Sequence, residues 1–158
     1  MKKLIALSLL LVACHKAPSS GPTPENGPLG AADPKSAVGA FIAAINAQDL
    51  QAMSAVWGDA DGSIRNQIGA DELMKREVVI IQMLKCVRKD FTVISNSVAG
   101  TNQRAMVVDL NFNPPPAGRA SVTRSTSFVV ASDKKTGRWF VSSIEPNKIN
   151  DICLSRGG

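Results

Sequence analysis

The stretch AVGAFIAAINAQDLQAMSAVWG, residues 37–58, carries two apolar periods separated by a polar break. Val38, Phe41, Ile42 and Ile45 recur at three- and four-residue spacing, which puts them on one face of a helix. Asp33 stands where an N-cap is needed and Pro34 suits a first turn, so that helix begins there. The break at residues 46–49, NAQD, interrupts it. Asp49 then caps a second, short helix on which Leu50, Met53, Val56 and Trp57 share a face, and Gly58 stops it. Residues 58–63, GDADGS, read as a loop. A longer helix is expected from about Asp71 to Cys86 or slightly beyond, burying Leu73, Ile80, Met83, Leu84 and Val87, with Glu72 set to pair with Arg76.

After Asp90 the apolar period shifts from 3.6 toward 2. Phe91–Val98, Arg104–Asn113, Ala120–Ala131 and Arg138–Ile144 are rich in Val, Thr, Ser, Phe and Ile and are separated by turn-forming links. The links are short, so neighbouring strands should run antiparallel. Met106, Val108, Leu110 and Phe112 fall on one face, against Val107, Asp109 and Asn111 on the other. Helices first and a meander after them predict an α+β fold, with helices packed on one face of an antiparallel sheet of four or more strands.

This order, with residues 37–58 as its two leading helices, resembles the nuclear transport factor 2-like superfamily, which includes SnoaL-like and ketosteroid-isomerase-like proteins. The resemblance covers roughly residues 34–145, within a domain expected over 34–155. It implies a sheet curved around the helices into a cone with a pocket at its open end. Carried over, it makes Phe41, Met53, Val56 and Trp57 from the helices and Phe112, Phe128 and Trp139 from the strands the residues that line core or pocket.

Isomerases and dehydratases of that superfamily use a pocket carboxylate beside a tyrosine, histidine or second acid. Here the chain has no tyrosine, and its one histidine, His15, lies outside the domain. Asp109 is the carboxylate placed mid-strand, where burial could make it a base. A hairpin turning near Pro116 and Ala117 would instead set Arg124 opposite Asp109 as a structural ion pair, and that reading is preferred. No catalytic residue is therefore assigned and no cofactor is expected. Asp59 and Asp61 lack the later ligands of a calcium loop, and cysteines and histidines are too sparse for zinc, so no metal site is expected either.

The N-terminus follows a different logic. Met1–Lys3 is a short basic segment, and Leu4–Ala13 is an apolar run of ten residues, half of the roughly 20 that span a bilayer. Leu11-Val12-Ala13-Cys14 resembles the bacterial lipobox, in which the cysteine is acylated and becomes the new N-terminus. The expected division is a signal peptide over 1–13, a lipidated Cys14 with a flexible tether over 14–33, and the domain behind it. His15–Asp33 is Pro- and Gly-rich with almost no large apolar residue, so it cannot offset its ordering entropy and reaches roughly 25 Å as a coil. His15 is not the aspartate that retains enteric lipoproteins at the inner membrane, which favours the outer membrane, facing the periplasm.

With Lys2 and Lys3 removed, 16 Lys and Arg oppose 13 Asp and Glu, a net charge of +3. The basic residues are scattered with few aromatics between them, which does not make a nucleic-acid footprint. Outside the cytoplasm thiols oxidise, and Cys86 and Cys153 remain as a pair once Cys14 is lipidated, so a disulfide between them is expected. Three function classes stay open. A membrane-anchored envelope lipoprotein whose noncatalytic domain binds a small apolar ligand or another envelope protein is preferred. A structural or assembly subunit without a pocket comes second, and an isomerase- or dehydratase-like enzyme using Asp109 third. The composition leaves room for a homodimer.

Overall fold

The computed structural model describes residues 27–84, 87–112 and 122–145, with the side chains of residues 83, 87–90, 112 and 122 excepted. The expectations for the signal peptide, Cys14 and most of the tether, for Cys86 and Cys153, and for the side chain of Phe112 lie outside the described residues.

Helix α1 spans Pro34–Ala47. The Asp33 carboxylate caps it, accepting from the Ser36 backbone N–H at 2.9 Å and from the Ser36 hydroxyl at 2.6 Å. Val38, Phe41, Ile42 and Ile45 are buried, as their spacing predicts. Gln48 in the left-handed region ends it, and Asp49 caps α2, Leu50–Val56, through the Ala52 N–H at 2.9 Å. Trp57 does not extend α2 as the sequence suggests. Its backbone is extended and bridges in parallel to Val141, because the helix gives way to a sheet contact there. The expected loop at 58–63 contains a miniature hairpin of β1, Gly58–Asp59, and β2, Gly62–Ser63. A Cβ on Gly58 would stand 2.1 Å from the Gly62 carbonyl oxygen, so a side chain cannot fit where these backbones meet. A 3-10 turn, Ile64–Asn66, leads on toward α3, Ala70–Leu84.

Strands β3, Val87–Gly100, β4, Gln103–Phe112, β5, Val122–Ser132, and β6, Trp139–Ile144, form one antiparallel sheet in chain order. Val87 thus opens β3 rather than closing α3. Met106, Val108 and Leu110 of β4 and Phe128 and Val130 of β5 are buried with the apolar faces of α1 and α2, and the Phe41 and Phe128 rings meet edge to face at 6.4 Å. The molecule is α+β: three helices among the described residues pack on a four-stranded antiparallel sheet.

The two sheet edges are treated differently. Along β6 the chain before α1 folds back, with Ala31 and Trp139 exchanging backbone hydrogen bonds at 2.8 and 2.9 Å. The Gly30 N–H donates to the Ala55 carbonyl at 2.7 Å, and Arg138 Nε donates to the Leu29 carbonyl at 2.7 Å. Gly30 has φ +75, and a Cβ there would stand 2.7 Å from the Phe140 ring. On the other edge, β3 runs long with three register irregularities, which twist it away from straight edge pairing.

Candidate functional site

Trp57 is the pivot of the site. It leaves α2 extended, its carbonyl accepts from Ile64 N–H at 2.9 Å, and its backbone bridges to Val141 on β6. Against it lies one flank of α3. Glu77, Ile81 and Leu84 recur on the buried side of that helix, so Lys75, Arg76 and Val79 turn outward, while Ile80 is half-buried and still packs against the core as expected. Trp57, Lys75, Arg76, Val79 and Ile80 enclose an open groove of about 320 Å³ whose lining is almost wholly apolar. Lys75 and Arg76 therefore contribute their methylene stems to the wall and carry their charges at the rim. Arg76 Nε is bonded to Glu72 Oε1 at 2.8 Å, the pairing expected from the sequence.

On the other side of α3 stands a buried polar cluster. Glu77 is 3% exposed, and its Oε1 has no hydrogen-bond partner among the described residues. Burial raises its pKa above the ordinary glutamate value, opposed by the Ser54 hydroxyl and the Arg65 charge. Arg65 reaches in from the 3-10 turn, donating from Nε to Ser54 Oγ at 2.7 Å and from Nη2 to the Gln51 carbonyl. Ser63 Oγ donates to the Ser54 carbonyl at 2.9 Å, so α2, the mini-hairpin and the 3-10 turn are tied at one point. Sequence reasoning placed no polar group in the buried stripe of α3. The signal was present as a glutamate in register with Ile81 and Leu84, one turn and two turns before them.

The residues proposed as core or pocket lining separate. Phe41, Met53 and Phe128 are fully buried in the core. Val56 also borders a shallow, alanine-lined groove of about 690 Å³ between α1 and α2. Trp139 packs against the core from the β6 edge. Of the six whose side chains are described, Trp57 alone borders the groove beside α3. Lys75, Arg76, Val79 and Ile80 were not foreseen as its partners. The clue was an apolar residue outside the helix's buried stripe, Val79, which is 55% exposed.

The pairing of Asp109 with Arg124 is corrected by the strand register. Ser125 lies opposite Asp109 and donates its hydroxyl to the carboxylate, while Arg124 lies opposite Leu110, on the other face. One residue of register moves a side chain across the sheet, and the turn between β4 and β5 sets that register. Asp109 is on the face turned away from the helices, since Val108 and Leu110 on either side of it are buried. In the GDADGS segment, Asp59 Oδ1 accepts from Asp61 N–H and from Gln67 Nε2, both at 2.8 Å, and Asp61 pairs with Lys134 at 3.1 Å. Among the described residues no three metal-binding side chains gather, and no helix is long and apolar enough to cross a membrane.

No protein-family model matches the chain, and no curated protein matches it. Among solved structures it is similar to an NTF-2 like protein of unknown function from Shewanella oneidensis MR-1, at 16% identity and a TM-score of 0.45, covering 70% of this chain and 92% of that one. It is also similar to a ketosteroid isomerase-like protein from Erwinia carotovora atroseptica SCRI1043, at 14% identity and a TM-score of 0.44, covering 70% of this chain and 88% of that one.

Proposed function

We propose that the protein is a lipid-anchored module of the bacterial envelope whose folded domain binds an apolar or partly apolar molecule without transforming it. The observation that carries the binding half is the open groove at Trp57, whose walls present apolar surface to solvent where a helix flank would ordinarily be polar. The anchoring half rests on the lipobox-like Leu11–Cys14, the basic residues before it and the Pro- and Gly-rich chain behind it. A tether of this composition lets the domain stand off the membrane and turn its groove either way.

Two measurements test the two halves separately. Cys14→Ser should move the protein from the membrane fraction to the soluble one, and unchanged sedimentation with the envelope would overturn the anchor. Mass analysis of small molecules released from the gently extracted wild-type protein should find a bound species that a Val79→Asp variant lacks. An empty wild-type domain, with Val79→Asp indistinguishable from it, would overturn the binding role.

A further inference from the structure

Resting on the binding role just proposed, we infer that the groove beside α3 takes a single-chain anionic amphiphile, its chain lying along Trp57, Val79 and Ile80 and its head at the Lys75 side of the rim. The walls select the chain. Trp57 offers an aromatic face, Val79 is 55% exposed although it sits in mid-helix, and the volume of about 320 Å³ is at the small end of ligand sites.

The rim selects the head. Glu72 occupies Arg76 Nε, so the local charge of that pair is largely cancelled, and Lys75, which feels Glu72 only through space, makes no close ion pair among the described residues. A head with one negative charge completes the set, whereas a cationic head would meet Lys75 directly. The chain's route supplies the setting. Gly30 is bonded to Ala55 and Ala31 pairs with β6 two residues from where Trp57 pairs with it, so this segment and Trp57 dock on the same edge strand. A domain tethered through that segment carries the groove to within reach of membrane-derived amphiphiles, whether free fatty acids or single-chain phospholipids.

The chain contains two tryptophans and no tyrosine, so Trp139→Phe leaves Trp57 as the reporter of the groove. Dodecanoate and lysophosphatidylglycerol, each titrated below its micellar concentration into the full-length protein with Cys14→Ser and Trp139→Phe, separate the two sources. At least one should shift Trp57 emission with saturation. Lys75→Glu should then weaken binding by about fivefold or more, the size of one partly exposed charge contact, and dodecyltrimethylammonium should bind more weakly by a similar factor. Val79→Asp should abolish the shift, and because Val79 is exposed this variant should unfold at the parent temperature, which separates lost binding from lost fold.

Equal affinity for the anionic and cationic detergents would overturn the assignment of the head. If neither anion moves the emission but truncation after Glu145 does, the groove is covered by the chain's own C-terminal segment and the inference falls. If neither anion binds while the extracted protein still releases a different molecule that Val79→Asp lacks, the anionic amphiphile is wrong and the binding role stands.

Discussion

A single carboxyl, Glu77, sets the electrostatic character of the α2–α3 contact. It shares the buried side of α3 with Ile81 and Leu84, it is 3% exposed, and one of its oxygens lacks a partner among the described residues. Ionising such a group costs desolvation that Ser54 and Arg65 offset only in part, so burial raises its pKa. The folded state therefore holds the proton more tightly than the unfolded chain does. Stability from this group is full below the unfolded pKa and is lost as pH rises through the raised folded value. Glu77→Gln keeps the shape and removes the titration. It should stabilise the protein at neutral and alkaline pH by on the order of 1 kcal/mol, a rise of several degrees in Tm. Thermal unfolding of the two proteins should converge below about pH 4, where both carry a neutral side chain. A constant difference across pH would show that burial does not raise the Glu77 pKa. This residue was legible in the sequence as a position but not as a problem, because periodicity marks a buried face and is silent about what lies across from it. Asp109 teaches the complementary lesson. Its place on a strand was readable, yet its partner depended on the β4–β5 register, and Ser125 took the place assigned to Arg124.

Among the elements, the leading helices were the most legible, because each carries its own start signal. Asp33 and Asp49 cap α1 and α2 as their spacing predicts, and the apolar faces of both helices are buried. What failed were places where tertiary contact overrides local preference. Trp57 belongs by spacing to α2, but the parallel bridge to Val141 holds it extended. Val87 continues the helical period of α3 and yet starts β3, where the pairing with Phe112 claims its backbone. The segment before α1, which composition assigns to the tether as far as Asp33, is ordered from Leu29 to Ala31 as a strap on the β6 edge. The strap depends on Gly30, whose positive φ and 2.7 Å approach to the Phe140 ring leave no room for a Cβ. Gly30→Ala should cost at least about 1 kcal/mol in urea unfolding. The backbone amides of Ala31 and Trp139 should lose hydrogen-exchange protection before those of β4 and β5 do. A wild-type midpoint in the variant would mean that the strap contributes nothing to the edge.

At the scale of the whole molecule, the core and α3 of this α+β domain are committed to the fold to different degrees. The core of α1, α2 and the sheet is well filled, with Phe41, Met53, Met106, Leu110 and Phe128 each almost fully buried. Helix α3 is the less committed element, since it exposes Met74, Val78 and Val79 while burying Glu77. A covalent staple near its end would compensate. Cys86 follows α3 by two residues, and Cys153 lies 67 positions further on in the chain. If the protein sits in the oxidising envelope proposed above, Cys86 and Cys153 should join, and closing a loop of that length is worth roughly 4 kcal/mol when the unfolded chain is the state restrained. The protein recovered from the envelope without reductant should give no alkylatable thiol at Cys86 or Cys153 by mass analysis. Reduction should lower its Tm, with α3 losing hydrogen-exchange protection ahead of α1. Two free thiols in protein taken directly from the envelope would mean that α3 is held by packing alone, and the exposed apolar flank that forms the groove would then rest on a helix with no staple behind it.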